Sequence, residues 1–253
     1  MTPGRLSVVG LGPGLDAWIT PEARETVERA QDIIGYEPYV ARLPPRDGQI
    51  RHASDNRVEL GRARLAIDLV RQGRNVAVVS GGDPGVFAMA AAVFEAIEAD
   101  PAAHDLDVHV VPGVSAMQAA AARLGAPLGH DFCAISLSDN LKPWALVARR
   151  LRAAAEGDFV IALYNPASKA RPRTIFEAFA LFREMKDEAT PVVFARAIGR
   201  ADERVHVTTL AEADPGLADM ATLVIIGSSE TRIVKRAGRA PWVYTPRRSL
   251  QQA

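Results

Sequence analysis

Residues 76–87 read VAVVSGGDPGVF, and their pattern indicates the fold class. Val76–Val79 form an uninterrupted run of small and β-branched residues, which is typical of a strand buried on both faces. A glycine-rich loop follows at residues 80–85, and an alanine-rich helix is expected from Phe87 to Ala99. A strand, a glycine loop and a helix in this order form the repeating unit of an open α/β sheet, whose ligands bind beyond the carboxyl ends of the strands. The alternative interpretation of the loop is a tight turn with a polar tip.

The alternation of strand and helix continues in both directions and predicts an α/β protein. Other strands are expected at Leu6–Val9, Asp32–Ile34, Leu106–Val111, Phe132–Ser136, Phe159–Tyr164, Pro191–Ala195, Val205–Thr208 and Thr222–Ile226. Helix starts are indicated by Thr20-Pro21-Glu22 and by capping-box patterns at Asn56/Glu59 and Thr209/Glu212. We expect two α/β domains, residues 1–113 and 114–246, followed by a tail at 247–253, with a ligand cleft between the domains.

Composition excludes several functional classes. The 253 residues carry 30 basic and 30 acidic side chains, so bulk charge does not favour a nucleic acid or an anionic membrane as partner. No apolar run reaches the roughly 18–20 residues that a membrane span needs, and the N-terminus lacks a signal-peptide pattern. The single cysteine, Cys133, is interpreted as a buried thiol and cannot form a disulfide framework or ligate an iron–sulfur cluster. A cytoplasmic protein is therefore expected.

The glycine loops do not match phosphate-binding motifs. Gly10, Gly12 and Gly14 have the wrong spacing for a dinucleotide fingerprint, and Pro13 among them offers no N–H to a phosphate. No Walker loop and no serine-hydrolase elbow is present, and the five histidines are too scattered to predict a metal site. Loops of this kind suit a ligand held by backbone groups and one carboxylate, for which S-adenosylmethionine (SAM) is one option among several.

Three segments carry a family resemblance. They are VVGLGPG at Val8–Gly14, SGGDPGVF at Ser80–Phe87 and VPGVSA at Val111–Ala116. In this order and at this spacing the chain resembles the tetrapyrrole (corrin and sirohaem) methyltransferases of the cobalamin pathway, from Val8 to about Ser229.

The resemblance implies two α/β subdomains in a homodimer, with SAM bound in the cleft between the subdomains. Some relatives carry iron–sulfur-binding segments, but this chain has a single cysteine, so no metal or iron–sulfur cluster is predicted. It further implies a SAM site whose residues come from both subdomains. These residues are Leu11, Pro13, Gly81, Gly82, Asp83, Val86, Phe87, Ser115, Ala116, Tyr164, Asn165, Ala197 and Thr222. Pro13 lies in the loop that faces both tetrapyrrole and methyl donor in the family.

A tetrapyrrole substrate requires two further kinds of residue. Proton transfer during its rearrangement needs a general acid or base, for which Glu37, Tyr36 and Ser168 are candidates. Tyr36 is alternatively a packed aromatic residue, and Ser168 a turn residue or helix cap. The substrate carboxylates need cations, for which we select Lys169, Arg171 and Arg196; the alternative is that these are ordinary surface charges.

Three other functions stay open at this point. One is a methyltransferase of the same family that acts at another ring carbon, on an rRNA ribose or on the modified histidine of elongation factor two. The second is a non-catalytic tetrapyrrole carrier, which would have no need of the SAM loops. The third is an NAD-dependent dehydrogenase, which a titration with NADH would test.

Overall fold

The structure is a computed structural model, and it describes residues 4–55, 58–168 and 170–248. The chain divides into two compact units, Met1–Ala116 and Met117–Ala253. The division lies slightly C-terminal to the one expected after Gly113. None of the described helices is long and apolar enough to cross a membrane.

The first unit contains five strands and four α-helices among its described residues. The strands are β1 (Arg5–Gly10), β2 (Asp32–Tyr36), β3 (Ile50–Ser54), β4 (Val76–Ser80) and β5 (Asp107–Val111). The helices are α1 (Pro21–Arg29), α2 (Glu37–Val40), α3 (Glu59–Arg71) and α4 (Met89–Glu98). Helix α1 begins as its sequence predicts, because the Thr20 hydroxyl accepts a hydrogen bond from the Ala23 N–H at 3.1 Å.

The five strands form one parallel sheet in the order β3-β2-β4-β1-β5. Every residue of β4 is buried, as the opening sequence pattern predicts. One face of the sheet packs Val9, Ile33 and Val79 against α1, and the other packs Leu6, Val8 and Val78 against α3 and α4. Helices on both faces are the standard cover of a parallel sheet.

The helix arrangement produces a topological switch point between β1 and β4. Helix α1 leads from β1 towards β2 on one face, whereas α4 leads from β4 towards β5 on the other. Strands β1 and β4 are neighbours, in register from Leu6–Val76 to Gly10–Ser80. The loops after two neighbouring strands therefore diverge to opposite faces, which opens the crevice where open α/β sheets bind ligands.

The second unit contains a five-stranded mixed sheet and a small three-stranded sheet. Its strands are β6 (Gly125–Ala126), β7 (Phe132–Ser136), β8 (Val160–Tyr164), β9 (Pro191–Arg196), β10 (Arg204–Thr209), β11 (Thr222–Ile226), β12 (Arg232–Arg236) and β13 (Arg239–Tyr244). Its helices are α5 (Ala116–Leu124), which starts at the boundary, α6 (Trp144–Glu156) and α7 (Thr174–Met185). The sheet order is β10-β9-β11-β8-β7, and β12-β13-β6 form a separate sheet, in which β12 and β13 pair antiparallel and β13 and β6 pair parallel. Phe179 and Phe182 of α7 are fully buried in the core of the unit.

Several elements differ from the sequence prediction. Helix α4 starts at Met89 and not at Phe87, because Phe87 has φ +51°, which is incompatible with a helix. Strands β3, β12 and β13 and helix α2 lack a clear sequence pattern. The Thr209/Glu212 prediction is wrong, because a turn follows β10 and no α-helix begins there. Asn56 of the other capping box lies outside the described residues.

Candidate functional site

The parallel sheet of the first unit brings the carboxyl ends of all five strands to one edge. Gly10, Tyr36, Ser54, Ser80 and Val111 end β1, β2, β3, β4 and β5, respectively, and their registers place them side by side. The three segments that carry the family resemblance contain three of these ends. The first unit's predicted site residues therefore gather at the edge where the switch point lies.

Glycines let the loops of this edge approach one another closely. Gly12 and Gly82 exchange two backbone hydrogen bonds of 3.1 and 3.0 Å, with φ of +65° and +71°, respectively. A Cβ added at Gly113 would lie 2.4 Å from the Gly82 carbonyl oxygen and 2.9 Å from the Gly10 Cα. Only glycine fits this junction, because any side chain there would overlap backbone atoms that cannot move aside.

Asp83 connects two of the loops. Its Oδ1 accepts a hydrogen bond from the Gly85 N–H at 2.8 Å, and its Oδ2 accepts one from the Gly113 N–H at 3.1 Å. Charge-assisted bonds of this type are stronger than neutral ones. The carboxylate thus holds the Ser80–Gly85 loop against the loop that follows β5.

The remaining predicted residues of the first unit differ in exposure. Leu11 is fully buried in the core and Ser115 is buried, whereas Pro13, Val86 and Ala116 are half-buried. Phe87 is 49% exposed although it is a bulky residue at positive φ. A conformation of this kind in a large side chain costs free energy and is found preferentially at functional sites.

Arg42 is a residue of this edge that the sequence does not reveal. Its guanidinium donates hydrogen bonds to the carbonyl oxygens of Gly12 at 2.8 Å, Leu11 at 2.9 Å and Gly14 at 3.0 Å. It therefore fixes the whole loop after β1. No local pattern could indicate this role, because Arg42 and Gly12 are 30 residues apart.

The tip after β2 contains two aromatic rings and an acid. The rings of Tyr36 and Tyr39 meet edge-on, with centroids 5.4 Å apart, while Glu37 is exposed at the first position of α2. Arg62, 4% exposed, lies behind the tip and donates from Nε to the Ser54 hydroxyl at 2.8 Å. Burial lowers the pKa of Arg62, and the carboxylates of Glu59 and Asp55 act against that shift.

The predicted residues of the second unit lie at one edge of its mixed sheet. Asn165 follows β8, Ala197 follows β9, and Thr222, which begins the antiparallel β11, pairs with Arg196. Asn165 and Ala197 have φ of +52° and +51°, respectively, so both are held in the left-handed region. Alanine rarely adopts this conformation, and strain of this kind suggests a functional constraint on the backbone.

Their side chains are fixed by neighbours within the unit. The Asn165 amide donates to the Ser136 hydroxyl at 3.0 Å, and the Tyr164 hydroxyl accepts from the Met117 N–H at 3.1 Å. The Thr222 hydroxyl donates to Asp219 Oδ1 at 2.7 Å. The edge is therefore preorganised by its own hydrogen bonds.

Ser168 and Arg171 form a tight turn. Their backbones exchange hydrogen bonds of 3.2 and 3.0 Å, and the Ser168 hydroxyl accepts from the Arg171 N–H at 3.2 Å. The Arg171 side chain is only 10% exposed and lies 3.6 Å from Asp139. Ser168 thus has the geometry of a turn residue, with its hydroxyl hydrogen still able to donate. Lys169 lies outside the described residues.

Arg196 is already paired. It contacts Asp202 at 2.6 Å and Asp219 at 2.8 Å, and hydrogen bonds to these two carboxylates raise the pKa of its guanidinium. Burial works to raise the pKa of Asp219, but hydrogen bonds from Thr222 and Arg196 outweigh it and lower that pKa. Arg196 would have to exchange one of these partners to bind a substrate carboxylate.

The polar groups at these edges suit a ligand without phosphates. The junction of the first unit brings glycine backbone from three loops together, with Asp83 as its carboxylate. Such an arrangement fits SAM, which has hydroxyl and amino groups and a cationic sulfur. Among the residues that the structure describes, no group of three or more His, Cys, Asp or Glu side chains could hold a metal ion.

Comparison with known proteins adds independent findings. The family model of the tetrapyrrole (corrin/porphyrin) methylases matches residues 5–214. A Sinorhizobium protein named precorrin-3B C(17)-methyltransferase is 60% identical over 245 residues, covering 96% of either chain. A Salmonella typhimurium protein named probable cobalt-factor III C(17)-methyltransferase is 40% identical, covering 95% of this chain and 99% of the relative. The crystal structure of the methyltransferase CobJ matches with a TM-score of 0.92 and 51% identity, covering 96% of this chain and 100% of the other.

Proposed function

The chain belongs to the tetrapyrrole (corrin/porphyrin) methylases and is a methyltransferase of cobalamin biosynthesis, and on this premise we propose that it methylates C17 of precorrin-3B. The proposed reaction couples methyl transfer from SAM to contraction of the ring and yields precorrin-4. The observation that carries the proposal is the 60% identity to the Sinorhizobium enzyme over nearly the full length of both chains. Methylation of cobalt-factor III is the second candidate, supported by the 40% identity to the Salmonella protein.

The role of the protein is mainly one of binding and alignment. SAM supplies the electrophilic methyl group, so the chain has to hold donor and acceptor in line and exclude water. We assign the donor to the glycine junction with Asp83, together with Leu11, Pro13, Gly81, Val86, Phe87, Ser115 and Ala116 of the first unit and Tyr164, Asn165, Ala197 and Thr222 of the second. The backbone N–H and C=O groups of these loops suit the hydroxyl and amino groups of the donor.

Ring contraction requires a proton to be moved at the substrate. We assign this step to Glu37, Tyr36 or Ser168. Glu37 is the exposed carboxylate, Tyr36 is a half-buried phenol beside it, and the Ser168 hydroxyl accepts one hydrogen bond and keeps its proton for donation. A general acid or base must come within hydrogen-bond reach of the proton it transfers.

We also propose where the substrate carboxylates are bound and how the chain assembles. Lys169, Arg171 and Arg196 are the cations of the proposal, and the latter two exchange a protein partner for a carboxylate of the substrate. The active form in this proposal is a cytoplasmic homodimer. Sedimentation equilibrium would measure its mass in solution.

The test combines donor binding with turnover. S-adenosylhomocysteine (SAH) is titrated calorimetrically into the protein, and the protein is then incubated with SAM and either precorrin-3B or cobalt-factor III under mass spectrometry. Binding and a precorrin product heavier by one methyl group are expected. Turnover of cobalt-factor III alone would favour the second candidate. A protein that binds the tetrapyrrole but does not bind SAH would be a carrier. A protein that binds NADH but does not bind SAH would be a dehydrogenase.

A further inference from the structure

Tyr39 lies directly on the backbone of the Ser80–Gly85 loop. A Cβ added at Gly81 would be 2.6 Å from Cε1, 2.7 Å from Cζ and 2.9 Å from the hydroxyl oxygen of Tyr39. Real Cβ atoms do not approach other atoms this closely, so the ring occupies the space that a side chain at residue 81 would need. Glycine at this position therefore allows the aromatic ring to pack on the loop.

The opposite side of the same loop is held by backbone groups. Gly82 exchanges hydrogen bonds of 3.0 and 3.1 Å with Gly12, and its carbonyl oxygen fills the space beside Gly113. The loop thus lies between a glycine junction on one side and the Tyr39 ring on the other. Displacing the ring would leave the junction intact and remove the second support.

Tyr39 also belongs to the tip that carries two of the proton-transfer candidates, Tyr36 and Glu37. It lies in α2, which begins at Glu37, and its ring meets that of Tyr36 edge-on at an interplanar angle of 86°. Edge-to-face pairs of this kind are favourable beyond their buried area. The ring therefore contacts the donor loop at Gly81 and the proton-transfer candidates through Tyr36.

We propose that Tyr39 is a positioning residue for methyl transfer, which keeps the Ser80–Gly85 loop aligned with Tyr36 and Glu37. The inference rests on the proposed function, because it needs the loop to hold the donor and the tip to face the acceptor. Alignment of this kind is costly to lose, since a misplacement of about 1 Å can lower a rate by about a hundredfold. Two of the three atoms closest to the added Cβ are ring carbons, so we assign the role to the ring.

The first experiment separates the ring from the hydroxyl. Tyr39→Phe keeps the packing and should leave kcat within about threefold of the wild type, whereas Tyr39→Leu should lower it about tenfold or more. The SAH dissociation constant of both variants should stay within about threefold, since the glycine junction still holds the loop. Tyr244→Leu, in β13, is the matched control and should leave kcat unchanged. If Tyr39→Phe lowered kcat as much as Tyr39→Leu does, the proposal would be overturned, and proton transfer by the hydroxyl would explain the loss.

The second experiment tests the contact itself. Gly81→Ala places a Cβ against the Tyr39 ring, so the loop has to shift, and the variant should weaken SAH binding and lower the melting temperature. The control Gly61→Ala adds a Cβ that lies 3.8 Å from the nearest atom, and it should do neither. In the double variant Gly81→Ala/Tyr39→Leu, the SAH dissociation constant and the melting temperature should return to those of Tyr39→Leu alone. Independent, additive losses would overturn the proposal, because the two positions would then not be in contact.

Failure of the inference can be told apart from failure of the proposed function. Wild-type turnover of precorrin-3B is measured first, and its absence would reject the function whatever the variants do. If the wild type turns over and Tyr39→Leu weakens SAH binding as much as it lowers kcat, Tyr39 only supports the donor site and the positioning role is rejected.

Discussion

At the scale of single residues, Asp83 has a different environment from the one its sequence suggests. The sequence predicts a carboxylate that binds the donor, and this prediction stands as part of the proposed site. In the structure both of its oxygens accept backbone hydrogen bonds, from Gly85 and from Gly113. Asp83 therefore organises the loops of the proposed site, and we expect its loss to weaken ligand binding more than the loss of one direct contact would.

We expect Asp83→Ala to weaken SAH binding about tenfold or more, because it removes two charge-assisted hydrogen bonds. Asp83→Asn keeps one acceptor oxygen and should lie between this variant and the wild type. Isothermal titration calorimetry measures both. The exposed Asp68, on α3, supplies the control Asp68→Ala, which should bind SAH like the wild type. An unchanged dissociation constant in Asp83→Ala would remove the residue from the site.

At the scale of secondary-structure elements, Asp158 connects three parts of the second unit. It lies between α6 and β8, and its Oδ1 accepts from Lys186, after α7, at 3.0 Å and from the Ser229 N–H, beyond β11, at 2.9 Å. Burial works to raise the pKa of Asp158, but the hydrogen bonds from Ser229 and Lys186 outweigh it, so this pKa lies below its usual value. The ionised carboxylate thus stabilises the fold.

The pH dependence follows from the direction of that shift. A carboxyl group whose pKa is lowered on folding contributes stability above its unfolded pKa of about 4, and this contribution is lost as the pH falls through the folded pKa. Asp158→Asn should therefore unfold at lower urea concentration than the wild type at pH 7, with the difference narrowing below about pH 4. Asn tolerates the φ of +51° at this position, so the backbone is kept.

Asp131→Asn, at a side chain that is 84% exposed, is the control and should show no such pH-dependent difference. If the urea concentration at the unfolding midpoint differed by the same amount between wild type and Asp158→Asn at every pH, the charge of Asp158 would not stabilise the unit.

At the scale of the whole molecule, the two units have different sheets and separate cores. The first has an all-parallel sheet with glycine loops at its carboxyl edge, and the second a mixed sheet that ends in the strained residues Asn165 and Ala197. If the chain binds the donor in its native state, ligand and folding are thermodynamically linked. SAH at about 100 times its dissociation constant should then stabilise the protein by about 2.7 kcal/mol.

Differential scanning calorimetry measures this stabilisation as a rise in the melting temperature that grows with SAH concentration. Asp83→Ala should show a smaller rise at the same concentration, because its dissociation constant is larger. A melting temperature that does not respond to SAH would show that the native chain does not bind it.

Local sequence patterns were sufficient to predict the order of the buried strands and the positions of the principal loops. Buried strands such as Val76–Val79, the Thr20 cap and the glycine loops are local patterns, because each depends on residues adjacent in the chain. A parallel sheet then necessarily brings the loops to one edge. Strand β3 and the hairpin β12–β13 escaped prediction because half-exposed strands lack a continuous apolar run.

The distant residues that support the proposed site are brought together by long-range contacts of the folded chain. Arg42 binds the loop after β1, Tyr39 packs on Gly81, and Gly113 lies against Gly82. These contacts join residues tens of positions apart, so no spacing in the sequence records them. The same holds for Arg196, whose pairing with Asp202 and Asp219 gives a residue chosen as a substrate cation two protein partners. Charge and residue type are properties of the chain, whereas the partner of a charge is a property of the fold.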